Sequence, residues 1–129
     1  MKGLRWAALL TLATCTTALV ACGGGGGGAA GPGDVNRGRT LFESKACVTC
    51  HTLPGIASAT GTVGPPLAGI AATAGTRKAG MAAEAYLRES IENPNVFIVP
   101  GFPSPSPMPP GQATGQEVAD LVAFLLAQR

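Results

Sequence analysis

One histidine, His51, is all that the 129 residues contain, and Asp, Glu, Lys and Arg together supply only 12% of the chain. A single imidazole excludes any centre that takes two of them. Aromatic residues are fewer still at 5%, and from residue 34 onward only Phe42, Tyr86, Phe97, Phe102 and Phe124 remain to build a core. No stretch alternates apolar and polar residues, which excludes a half-buried sheet. Past the first residues the only adjacent basic pair is Arg77-Lys78, so no clustered basic face exists and a nucleic-acid partner is excluded.

Glycine, by contrast, is abundant, and it is concentrated where it divides the chain. Residues 1–21 read as an export signal: Lys2 and Arg5 form the positive start and an uncharged apolar run follows from Trp6. That run is at the short end of what spans a bilayer and is broken by threonines, which argues against a retained membrane helix. It closes on Leu19-Val20-Ala21-Cys22, which resembles the lipobox of bacterial lipoproteins. Cys22 is therefore expected to be acylated, becoming the first residue and the lipid anchor. Six glycines follow it, and residues 22–33 are expected to form a flexible tether with an r.m.s. span of roughly 18 Å. The expected location is a bacterial membrane surface on the extracytoplasmic or periplasmic side. Removing Lys2 and Arg5 from nine basic residues leaves seven against seven acidic ones, a surface close to neutral.

Residues 34–129 carry the helical patterns. Asp34 is placed to cap a helix whose one face bears Val35, Gly38, Phe42 and Ala46. A long Gly-, Ala- and Thr-rich loop follows, with one short helix expected near 67–74. A second clear helix is expected over 82–92, with Ala83, Leu87 and Ile91 on one face, a Glu84–Arg88 pair on the other, and Asn93-Pro94 as its stop. Seven prolines between Pro94 and Pro110 make a stiff loop. A capping box from Thr114 to Glu117 then opens a last helix with Val118, Leu121, Val122 and Leu125 in register. The expected fold is all-α, with too thin a core for its length unless the helices and loops close on something else.

Cys47-Val48-Thr49-Cys50-His51 names that body. Two thiols at this spacing add to the vinyl groups of haem and the next imidazole ligates its iron. A zinc site needs four ligands and finds no second histidine, and a redox dithiol expects βαβ surroundings that are missing. One covalently attached haem c is thus expected on Cys47, Cys50 and His51. With His51 alone, the sixth position falls to methionine, water or nothing. Of Met81 and Met108, the first lies at a helix edge where methionine usually fills the core. Met108 stands in Pro107-Met108-Pro109-Pro110, where flanking prolines keep the backbone extended and aimed.

These residues resemble a class I, monohaem cytochrome c across 34–129: attachment motif in front, methionine behind, terminal helix last. The resemblance implies a small helical fold around haem, with Gly38 and Phe42 crossing Leu121 and Phe124. Gly64-Pro65-Pro66-Leu67 is similar to the family loop in which a proline carbonyl orients the proximal imidazole, a role that falls on Pro65. Tyr86 to Ile91, Asn93-Pro94, Gly101-Phe102 and Met108-Pro109 are similar to cytochrome domains fused to subunit II of haem-copper oxidases. The chain lacks that subunit's membrane helices and copper domain. It also has no tryptophan after Trp6, and Arg77 and Lys78 are read as solvated charges, with contact to the haem propionates as their second use.

The expected function is transfer of single electrons between redox-protein donor and acceptor, the resemblance implying membrane respiratory complexes as partners, without substrate chemistry. Two other uses stay open: a haem peroxidase or gas binder with an open sixth position, and a permanent cytochrome subunit of an oxidase or dehydrogenase.

Overall fold

The computed structural model describes residues 30–129; the export signal, Cys22 and the glycine run lie outside the described residues. Four α-helices and one 3-10 turn make up the described part, with a single isolated bridge between Thr52 and Thr60 and no strand. No helix among the described residues is long and apolar enough to cross a membrane.

Helix α1 spans Val35–Ser44, and the Asp34 carboxylate accepts the Arg37 amide at 2.8 Å, satisfying one of its free N–H groups. Its buried face is narrower than the pattern implied. Only Gly38 and Phe42 are buried, Val35 is 43% exposed, and Ala46 lies beyond the helix end. That face packs on helix α4, Gln116–Leu126. A methyl on Gly38 would collide with the Asp120 carbonyl and the Phe124 side chain, so glycine is what allows this contact. One turn on, the Phe42 and Phe124 rings meet at 5.7 Å, tilted by 50°.

Helix α2 spans Ile70–Arg77, three residues later than expected. Leu67 is held outside it because its amide bonds the Thr52 carbonyl at 2.9 Å, and left-handed Gly69 (φ 65°) sets the start. Helix α3 spans Ala83–Glu92, with Tyr86, Leu87 and Ile91 buried and Glu84 lying 3.6 Å from Arg88. Lys78 ties the end of α2 to α3 through both carboxylate oxygens of Glu89, at 2.6 and 2.8 Å.

The expected capping box of α4 is half made. The Thr114 amide donates to Glu117 Oε2 at 3.3 Å, but Gly115 occupies the cap position and offers no side chain. Glu117 also pairs with Lys45 at 3.0 Å, so its second task is to pin the end of α1.

A second acidic side chain, set within the apolar face of this helix, went unread in the sequence. Asp120 is 3% exposed and accepts from the Asp34 amide at 2.8 Å, Gln116 Nε2 at 3.0 Å and Arg37 Nε at 3.1 Å. Those bonds hold its carboxyl below the usual range, the Asp34 amide contributing most. Gln116 continues the clasp to the Gly31 amide at 2.7 Å, so residues 31–33 lie against α4 rather than in free coil.

Candidate haem cleft

The end of α1 delivers the attachment motif. The Lys45 amide closes the helix on Leu41, then Ala46 turns left-handed at φ 59° and the chain enters the 3-10 turn Cys47–Thr49. Few side-chain-bearing residues adopt that conformation, and here it aims both sulfurs at one cleft. The Ala46 carbonyl accepts the Thr49 amide at 3.1 Å and its hydroxyl at 2.7 Å, and the His51 amide bonds Cys47 at 3.0 Å.

Cys47 and Cys50 are half-buried free thiols, with the Cys47 thiol pushed up by burial. His51 sets its Nδ1 at 2.8 Å from the Pro65 carbonyl. A carbonyl only accepts, so Nδ1 carries the proton and the Nε2 lone pair is left for a metal. Burial lowers the imidazole's pKa and the Arg77 charge lowers it further, against the Pro65 bond that raises it. A neutral ligand is the outcome. Gly64 is tied by its amide to Cys50 at 2.7 Å and lies so close to the His51 ring that any side chain would strike it. Pro65 reaches His51 because the residue before it is glycine.

All of these residues line one mainly apolar cleft of about 330 Å³, within the usual size of ligand sites. Phe42, Leu67, Ile70, Leu87, Leu121 and Leu125 form its wall, which is therefore the same set of side chains as the core. Met108, from the proline loop, lines this cleft; Met81 is half-buried against the core and does not. Pro65 and Met108 are thus brought together with Cys47, Cys50 and His51. Cys22 lies outside the described residues.

The basic pair departs from its expected state. Lys78 is taken by Glu89, while Arg77 lines the cleft and makes no ion pair among the described residues. The cleft also takes in Tyr86 and Phe97, whose rings meet edge-on at 6.0 Å, together with Gln112 and Ser106. Sequence reasoning passed over the last two because polar residues in a proline-rich loop carry no periodicity to mark them.

Fold and cleft together define a small helical protein that gathers two thiols and one imidazole at a single apolar cleft. The chain belongs to the cytochrome c family, whose pattern, described as Cytochrome c, matches residues 35–129. It is a haem c electron-transfer protein, and Cys47 and Cys50 fit the attachment motif of that family. Among solved structures it is similar to the crystal structure of SoxXA from P. pantotrophus. The two share 24% identity over 76% of this chain and 83% of that one, with a TM-score of 0.51, a likeness of fold. No curated protein matches the chain.

Proposed function

We propose that the chain is a lipid-anchored, non-catalytic carrier of single electrons in which His51 and Met108 ligate the haem iron. The observation that carries this reading is the cleft's choice of methionine: Met108 lines it with His51, and Met81 does not. When bound, haem c supplies a one-electron ferric/ferrous couple. The residues around it do the rest. Pro65 fixes the tautomer and orientation of His51, apolar side chains keep water away, and a thioether ligand from Met108 would favour the ferrous state.

The ligand assignment is tested on ferric holoprotein by the methionine-to-iron charge-transfer band. Met108→Ala is expected to abolish it and Met81→Ala to keep it; the reverse pattern would overturn the assignment.

Acylated Cys22, in this reading, anchors the domain to a bacterial membrane, and the glycine tether raises its effective concentration for membrane-bound respiratory partners. The resemblance to oxidase-fused cytochrome domains supports that setting. Cys22→Ser is expected to release the domain from membranes or to leave the signal uncleaved. A processed N-terminus with an unchanged membrane fraction would count against acylation.

A further inference from the structure

The loop that carries Met108 has almost nothing to hold it. From Pro103 to Ala113 no backbone–backbone hydrogen bond is made among the described residues, and five of those positions are prolines with no amide to give. Proline stiffens such a segment but does not place it. Two side-chain bonds do that around the methionine. The Ser106 amide donates to Asn95 Oδ1 at 2.8 Å, and the Met108 amide donates to Ser106 Oγ at 3.2 Å. Asn95 stands just past the end of α3, in a turn closed by the Val96 amide on the Asn93 carbonyl at 3.0 Å. The two bonds form a line from α3, through Ser106, to the backbone of Met108. Farther along, Gln112 Nε2 reaches the Lys45 carbonyl at 3.2 Å and ties the loop's end to the attachment segment.

We propose that Asn95 and Ser106 are positioning residues for the sixth ligand: they hold the Met108 backbone at the distance from which its thioether stays on the iron. This rests on Met108 being that ligand, as proposed above. The physical reason is that a thioether is a weak, uncharged ligand. An extended loop freed of its two anchors gains conformations in which the sulfur is withdrawn.

The test uses full-length holoprotein made in a host that attaches haem, with imidazole as a competing ligand for the ferric iron. Imidazole binds only when Met108 lets go, so its apparent affinity reports how firmly the methionine is held. Asn95→Ala and Ser106→Ala are each expected to tighten imidazole binding about three- to ten-fold, the equilibrium equivalent of one ordinary hydrogen bond. Asn95→Asp keeps an acceptor for the Ser106 amide, and Ser106→Thr keeps the hydroxyl; both are expected to stay near wild type. In a Met108→Ala background, Asn95→Ala is expected to change nothing further.

Unchanged imidazole affinity in both alanine variants would sink the inference. So would an equal effect of Asn95→Ala with and without Met108, which would mean a general loosening of the cleft. Should Met108→Ala itself bind imidazole no better than wild type, the ligand assignment fails first and the positioning role falls with it. Asn95 is exposed, so its replacement leaves the core untouched and keeps the comparison interpretable.

Discussion

At the scale of single residues, the site is a set of side chains each prevented from doing something else. His51 is kept neutral by burial and kept in one tautomer by Pro65, and Gly64 makes room for its ring. Lys78, which could have shared a role with its neighbour, is committed to Glu89. Arg77 is left as a cation facing the cleft. Its charge opposes a further positive charge on ferric iron, and so favours the ferrous form. Arg77→Gln is expected to lower the midpoint potential in protein-film voltammetry, with the methionine band intact. A potential that stayed put or rose would show that Arg77 is screened from the iron.

The elements depend on one crossing more than on their own propensities. Helix α1 is ten residues long, short for a helix that must stand alone, and it is held by α4 through Gly38, the Phe42–Phe124 contact and the Asp120 clasp. Asp120 makes that clasp sensitive to acid in a definite direction. Its carboxyl is more acidic folded than in an unfolded chain, where the value is about 3.9. The stabilisation is therefore present above that value and is lost as pH falls through the lower, folded value. Asp120→Asn removes it at all pH values. Thermal melts are expected to show the variant less stable at neutral pH and the gap closing below about pH 4. A gap constant down to lower pH would refute the ionised clasp. This residue was invisible to periodicity, because an acid among Ala119, Leu121 and Val122 reads as a flaw in the apolar face until its partners in α1 are known.

Over the whole molecule, core and cofactor cleft cannot be separated. Phe42, Leu67, Ile70, Leu87, Leu121 and Leu125 belong to both, so the wall that haem covers is the wall that would otherwise hold the helices together. Folding of the helices and retention of haem are expected to be linked by mass action. The double variant Cys47→Ala, Cys50→Ala, produced without attached haem, is expected to lose most of its far-UV helical signal and its cooperative melt. A native-like signal with a sharp transition would show that the helices close without the group. Charge plays a smaller part at this scale: Arg37, Arg39, Lys45, Lys78 and Arg88 are each matched to a nearby carboxylate.

The amino-acid sequence by itself determined the chemistry of attachment, because two cysteines and a histidine in one short segment are covalently constrained to act together. It also determined the existence of the helices and their main apolar faces, since helical periodicity is a local property. The tertiary structure alone decided the rest. The separate duties of Arg77 and Lys78, the burial of Asp120 and the line of bonds from Asn95 through Ser106 to Met108 all join residues distant along the chain or depend on which way a side chain faces. Such contacts are set by how elements pack, and packing leaves no period in the sequence from which to read it.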